Sequence, residues 1–357
     1  MAYRGVVVKK EGGLLQKRDL DFEIMGVLNP AVIMADGVIH LFYRAVARNN
    51  YSTIGYCRLS GPLTVAERNN HPVLFPEHEY EKNGIEDPRI VRIDGRYYLS
   101  YTAYDGINAL SALATSADLV DWTKRGLIAP LITVEEFQDI LEKNVDLNAK
   151  YNRYNIDARK NHIEENVWIW DKNLVFFPRK INNRLFFLHR IKPDIQIVSG
   201  INDISDLTPE FWKNYFKDFD QHILLAPKHD HEISYIGAGA PPIETPIGWL
   251  LIYHTVHDTM EGYVYCCSAA LLDLDDPTVE LSRLPYPLFF PEEDYELTGE
   301  VNNVCFPSGT LVLEDRLFIY YGAADSSIAV ASLSMSELLK ELEQHYISKR
   351  LVGLDGI

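Results

Sequence analysis

The chain has 357 residues, 47% of them hydrophobic and 11% aromatic, enough to bury a full core in one large or two medium domains and too apolar for global disorder. Its 34 basic against 51 acidic residues leave a formal charge of −17, which argues against nucleic acid or an anionic membrane as a partner. Four cysteines, Cys57, Cys266, Cys267 and Cys305, lack C-x-x-C spacing and read as buried free thiols. No apolar h-region follows Met1 and no run reaches ~18 apolar residues, so the expectation is a cytoplasmic or periplasmic protein without a visible signal peptide or membrane span.

Along the chain, five segments each join a turn to an aromatic-rich apolar strand that often ends in a polar or charged residue. They are DGVIHLFYRA from Asp36, DGRYYLSYTA from Asp94, NNRLFFLHRI from Asn182, IGWLLIYHTV from Ile247 and EDRLFIYYGA from Glu314. Taking Gly37, Gly95, Asn183, Gly248 and Asp315 as equivalents, the spacings are 58, 88, 65 and 67 residues, each long enough for a four-stranded antiparallel unit. Strands of small and apolar residues follow, as in STIGYCRLS from Ser52, ALSALATS from Ala109 and SIAVASL from Ser327. Repeats of this period predict an all-β chain, a five-bladed β-propeller in one domain over 1–357, with a two-domain β-sandwich as the competing architecture.

In the second unit, Asn83-Gly84-Ile85-Glu86-Asp87-Pro88-Arg89-Ile90 crowds two carboxylates, a proline and a guanidinium between apolar runs. Pro88 biases Asp87 toward extended backbone, which would send Glu86 and Asp87 to opposite sides of a strand. Alone, the tetrapeptide E-D-P-R also fits an edge turn with a surface ion pair. The long third spacing is explained by a helical insertion over 131–170, where Thr133 and Glu136 form a capping box ahead of Val134, Phe137, Ile140 and Leu141. Its continuation, Tyr151 to Asn155, suits a roof over a site, a homo-oligomer contact or a solvated excursion. Thr208-Pro209-Glu210 signals another short helix, and Ser334 with Glu337 signals a C-terminal helix over 334–349.

In a propeller, polar residues that punctuate inner strands converge on one mouth of the channel. Those residues are Arg44, Glu86, Asp87, Arg89, His189, Arg190, Asp194, His254 and Asp325, with Tyr263 and Asn303 as further substrate-binding candidates. Arginines, histidines, carboxylates and tyrosines without metal-ligand spacing or a phosphate-cradling glycine loop suit a polyhydroxylated substrate, and sugars are the obvious class. Acetal cleavage needs a proton for the leaving oxygen and a nucleophile on the opposite face, which makes Asp87 the acid candidate. No G-x-S-x-G, Walker A or H-E-x-x-H motif occurs.

LFYRAVARNNYSTIGYCRLS, NGIEDPRIVRIDGRYYLSYTAYDG, FFPRKINNRLFFLHRIKPDIQI, YIGAGAPPIETPIGWLLIYHTV and NNVCFPSGTLV with YYGAADSSIAVASL together resemble the glycoside hydrolase family 130 mannoside phosphorylases and mannosidases, from about Pro30 to about Leu333. The resemblance implies a five-bladed propeller acting on β-mannosides with inversion. It also implies that Asp87 is the proton donor, acting through a mannose hydroxyl, and that Asp325 holds the same mannose. Phosphorylase members carry a lysine directly before the I-G-x-G segment, where this chain has Tyr235; His254 matches, but Thr255 stands where they have glycine. A missing cation disfavours a bound dianion and favours water, which needs a general base. Glu232 is the candidate, with an ion pair to His229 or His231 as its structural alternative and Glu164 and Glu165 as runners-up. The expectation is therefore an inverting exo-acting β-mannosidase on short β-1,2-linked manno-oligosaccharides, without metal or cofactor. The alternatives are a phosphorylase using inorganic phosphate as co-substrate, and a non-catalytic carbohydrate-binding propeller.

Overall fold

The computed structural model describes residues 5–143, 145–155 and 167–347 and is predominantly β. After β1 (Lys9–Leu15), the chain runs through five antiparallel meanders. The first comprises β2 (Gly26–Ala35), β3 (Val38–Val46), β4 (Ser52–Gly61) and β5 (Thr64–Arg68), and the second β6 (Gly84–Ile93), β7 (Arg96–Tyr104), β8 (Ala109–Ser116) and β9 (Trp122–Leu127). The third comprises β10 (Lys172–Phe176), β11 (Leu185–Arg190), β12 (Ile195–Ile201) and β13 (Ile223–Leu225). In the fourth, β14 (Tyr235–Ala238) and β15 (Ile243–Thr245) both pair with β16 (Gly248–Thr259), followed by β17 (Gly262–Leu272) and β18 (Glu280–Arg283). The fifth comprises β19 (Cys305–Leu313), β20 (Arg316–Ala323) and β21 (Ser327–Ser334), and β1 adds beside β21 as its fourth strand. The first two meanders join into one eight-stranded sheet through a single parallel contact between Ser52 and Gly84.

Turn chemistry sets the register. Asp36-Gly37, Asp94-Gly95 and Asn182-Asn183 all have positive φ, as two-residue hairpins require, and close Ala35 against Val38, Ile93 against Arg96 and Ile181 against Arg184. The apolar faces then pack in a cyclic order. Separate core clusters lie between the first and second meanders (Phe42 with Leu99), second and third (Val91 with Phe187), third and fourth (Leu188 with Trp249), fourth and fifth (Ile252 with Ile319), and fifth and first (Phe318 with Leu41).

The insertion forms α1 (Val134–Glu142), capped reciprocally by Thr133 and Glu136, and α2 (Val145–Asn155). Thr208 caps α3 (Pro209–Tyr215), α4 (Asp294–Leu297) is a single turn, and the C-terminal helix is α5 (Met335–Gln344), whose Leu338 and Leu342 pack between the fourth and fifth meanders.

A buried carboxylate recurs ahead of the first strand of each meander, and in four of the five it is bound by residues of both the second and the fourth strand. Glu23 accepts from the Tyr43 hydroxyl (2.7 Å) and Arg68 (2.8 Å), and Glu81 from Tyr101 (2.7 Å) and Lys124 (2.6 Å). Glu232 accepts from Tyr253 (2.6 Å) and Arg283 (3.2 Å), and Glu296 from Tyr321 (2.6 Å) and Lys10. In the third meander Asp171 takes the carboxylate's place and His189 Nδ1 the tyrosine's. All five carboxylates are fully buried, so each depends on these partners for its charge.

Candidate active site

Residues of the second strands alternate across their sheets. Tyr43, Tyr101, His189, Tyr253 and Tyr321 face the carboxylate locks, and their successors Arg44, Thr102, Arg190, His254 and Gly322 therefore face the other way. The inner strands meet that second face at a break in register: Leu28/Ala31 in β2, Glu86/Arg89 in β6, Lys172/Val175 in β10 and Pro307/Gly309 in β19. Asn29, Asp87 and Asn173 sit at these breaks with φ of 51°, 51° and 56°. Asp87 is thus left-handed rather than extended as Pro88 alone suggested, because a bulge absorbs one residue of β6 and re-aims the side chain. Its carboxylate does not point away from that of Glu86. Both meet Arg44, whose Nη2 donates to Glu86 Oε1 at 2.8 Å while Nη1 lies 3.7 Å from Asp87 Oδ1.

Asn29 Nδ2 donates to Asp87 Oδ1 at 2.7 Å, and Lys172 Nζ donates to Glu86 Oε2 at 3.0 Å. Burial alone would raise the Asp87 carboxyl, but the Arg44, Lys172 and Arg89 charges and the Asn29 bond outweigh it and hold Asp87 below the usual carboxylate range. Asp325, in the turn between β20 and β21, behaves oppositely: burial, reinforced by the Asp87 and Glu86 charges against Arg44 and Lys172, lifts it to about 6. Arg44 and Asp325 share the wall of a cavity of about 110 Å³ with Gly26, Leu28, Asn50 and Glu300. Arg89 fastens the bulge, donating to the carbonyls of Asp87 (3.2 Å), Pro88 (2.9 Å) and Gly239; its Nη2 is buried without an acceptor among the described residues.

Beyond Arg89 lies a basic cluster. Arg190 Nη1 donates to His254 Nε2 at 3.0 Å, and the Arg190 Nε and Asn173 Nδ2 donors are buried with no acceptor among the described residues. Burial and the charges of Arg190, Arg89 and Lys192 push His254 well below its ordinary value, so its ring is a neutral acceptor toward Arg190. Gly237 makes room for it, since a Cβ there would lie 2.4 Å from His254 Cε1. Lys192, two residues beyond Arg190, sets its ammonium 3.9 Å from the centroid of the Tyr235 ring, with the Arg190 guanidinium carbon 5.5 Å from the same centroid. No carboxylate pairs with Lys192 among the described residues. Burial, then the Arg190 and Lys172 charges, depress its amine to about 6.

This arrangement corrects the inference drawn from Tyr235. A lysine does stand beside that position, from the neighbouring meander: Lys192 lies on the face of Tyr235. Glu232 is likewise not gathered with Asp87. Its carboxylate is saturated by Tyr253, Arg283 and the amides of Lys228 and His229, all on the lock side of the fourth sheet. Burial raises it, but the Arg283 charge and those bonds prevail and lower it, which makes it a weak base. His189 is held by Asp171 and the Tyr215 hydroxyl (2.8 Å), and Asp194 by Lys150 (2.7 Å) and the Tyr151 hydroxyl (2.6 Å), so neither faces the Arg44–Arg190 side. Tyr263 is 44% exposed with its ring 5.9 Å from that of Tyr235, and the carbonyl of half-buried Asn303 accepts from the Tyr265 amide at 2.9 Å. Glu164 and Glu165 lie outside the described residues. Asn29, Lys172, Asn173 and Lys192 were missed. Asn29-Pro30 echoes Asp87-Pro88 at the same bulge, and Lys192 follows Arg190 in HRIK, so both signals were legible.

Among the described residues no group of three or more His, Cys, Asp or Glu is arranged to hold a metal. The family model described as beta-1,4-mannooligosaccharide phosphorylase matches residues 21–344. A 1,2-beta-oligomannan phosphorylase from Thermoanaerobacter sp. (strain X514) is 33% identical over 336 residues, covering 91% of this chain and 95% of the relative. A beta-1,2-mannobiose phosphorylase from the same organism is 32% identical over 339 residues, covering 90% and 94%. The beta-1,2-mannobiose phosphorylase of Listeria innocua, solved with beta-1,2-mannobiose, superposes with a TM-score of 0.71 at 23% identity, covering 95% of this chain and 99% of that one. The chain belongs to glycoside hydrolase family 130.

Proposed function

We propose that the five meanders are the blades of a five-bladed β-propeller and that the protein is an inverting β-mannoside phosphorylase, which releases mannose 1-phosphate from β-1,2-linked manno-oligosaccharides. The observation that carries this reading is the Lys192 amine, largely buried and without a carboxylate partner among the described residues, beside Arg190 and the donors of Arg89 and Asn173 that lack an acceptor among those residues. Uncompensated positive charge in a low-dielectric site is costly unless an anion completes it. The names of the relatives support phosphate as that anion and a β-1,2-mannoside as the donor sugar.

In this reading Arg44, Glu86 and Asp325 hold the mannose, while Arg190, Lys192 and Arg89 hold phosphate on the opposite face of its ring. A phosphate oxygen attacks C1 as the glycosidic C–O bond breaks, and the leaving oxygen takes its proton from Asp87 through a mannose hydroxyl. The products are α-mannose 1-phosphate and a sugar one unit shorter. Arg89 is one of the cations that keep Asp87 ionised in the free protein, and Arg190 also interacts with it, so a phosphate dianion beside these two offsets part of that field and moves Asp87 toward its protonated form, leaving the Arg44 and Lys172 shares in place. Initial rates on β-1,2-mannobiose against phosphate concentration test the assignment. Saturable phosphate dependence is expected, with a phosphate KM raised by Lys192→Ala; a rate independent of phosphate returns the protein to the hydrolases, and binding without turnover to the non-catalytic propellers.

A further inference from the structure

The insertion helix α2 bridges the third and fourth meanders at the basic cluster. On one side Lys150 Nζ pairs with Asp194 Oδ1 at 2.7 Å, and the Tyr151 hydroxyl donates to Asp194 Oδ2 at 2.6 Å. On the other, Arg153 pairs with Asp258 of β16 at 2.6 Å. Between these anchors, the last two residues of α2 reach the two residues that form the cation–ring contact. Asn155 Nδ2 donates to the Lys192 carbonyl at 2.8 Å and to the Tyr151 carbonyl at 2.9 Å, and the Tyr154 ring meets that of Tyr235 edge-on at 5.7 Å.

Lys192 needs this support for a physical reason. It lies just past the end of β11, between Ile191, whose amide and carbonyl both bond the Gln196 side chain, and Pro193, whose carbonyl accepts from the Ile236 amide at 3.0 Å, and its own carbonyl is held by Asn155. A lysine side chain carries about 2 kcal/mol of rotamer entropy, and a cation whose own peptide is released is poorly preorganised for a small anion. Asn155 is 5% exposed and spends its two amide hydrogens on carbonyls, one of its own helix and one of Lys192.

We propose that Asn155 and Tyr154 are positioning residues of the anion subsite: they set Lys192 and Tyr235 for phosphate without touching it, which makes α2 part of the phosphate machinery. This rests on phosphate being the nucleophile. The test is steady-state kinetics of Asn155→Ala and of the near-isosteric Asn155→Leu, which keeps the side-chain size and removes the donors without adding charge, each also in a Lys192→Ala background. The phosphate KM rises roughly tenfold, as loss of one buried hydrogen bond implies, while kcat at saturating phosphate and the KM for β-1,2-mannobiose stay within about twofold. In the Lys192→Ala background the Asn155 substitutions add nothing, because their effect passes through Lys192. An unchanged phosphate KM in both variants, equal losses in all three constants, or full additivity with Lys192→Ala overturns the inference while leaving phosphorolysis standing. A wild type whose rate ignores phosphate overturns the functional reading, and the inference with it.

Discussion

The Lys192 Nζ lies 3.9 Å from the centroid of the Tyr235 ring, so a lysine from the third meander covers the face of a tyrosine in the fourth. This contact gives the anion subsite a pH signature. With its amine depressed to about 6, Lys192 is mostly neutral at pH 8 in the free protein and half charged near pH 6. Sulfate, whose own charge is constant over this range, should therefore lose potency as a competitor of phosphate between pH 6 and pH 8, by up to roughly tenfold per unit. Asp87 and His254 lie below this window, and Asp325, at about 6, adds repulsion of the same sign. Inhibition constants for Lys192→Met should retain only the Asp325 share; an unaltered slope in that variant would assign the effect elsewhere.

Asp87→Asn removes the proposed proton donor while keeping the bulge, Asn29 and Arg44 in place. The expected loss in kcat is about 10²–10⁴-fold or more, with the KM for mannobiose little changed. Mannosyl donors with highly acidic leaving groups need less protonation and should be cleaved with a smaller deficit. A uniform loss across leaving groups would remove Asp87 from the acid role.

Glu232→Gln separates a lock residue from a base. Replacing the carboxylate leaves the buried Arg283 with Glu280 as its remaining acidic partner, and breaking a buried pair of this kind costs about 3 kcal/mol. Thermal unfolding should show a lowered Tm, matched by Glu81→Gln and Glu296→Gln in the second and fifth meanders. Azide or formate should restore nothing. A stable Glu232→Gln protein rescued by azide would make it the base after all.

Asp325 is held at about 6 against an ordinary 3.8, so the folded chain binds more protons than the unfolded chain between these values. Stability from this group is present below pH 4 and lost as pH rises through 6. Asp325→Asn should therefore raise the Tm at pH 7, with the gain disappearing near pH 4, while activity falls if the proposed mannose contact is lost. Calorimetry at the two pH values checks this; destabilisation at pH 7 would refute it.

Much of the architecture was legible because turn and strand chemistry are local. Asp36-Gly37, Asp94-Gly95 and Asn182-Asn183 marked their hairpins, and Thr133 with Glu136 marked α1. Asp87 stood out because carboxylate, proline and arginine rarely crowd a strand without a use. Its backbone was misread, since a bulge depends on the partner strand and not on Pro88 alone. Glu232 was misread for a related reason: a buried lock and a catalytic carboxylate look alike in HDHEISYIG. The distinguishing signal is the recurrence of the lock, with Glu23–Tyr43, Glu81–Tyr101 and Glu232–Tyr253 separated by 20, 20 and 21 residues. The lysine beside Tyr235 was not legible, because position-by-position comparison registers a lost lysine but not Lys192 reaching the same place from another meander.

The most direct test of the central claim is ³¹P NMR of the protein with β-1,2-mannobiose and inorganic phosphate. An α-mannose 1-phosphate resonance should grow in step with mannose release, with no turnover when phosphate is left out. Mannose released at the same rate without phosphate, with no sugar phosphate formed, would contradict that claim.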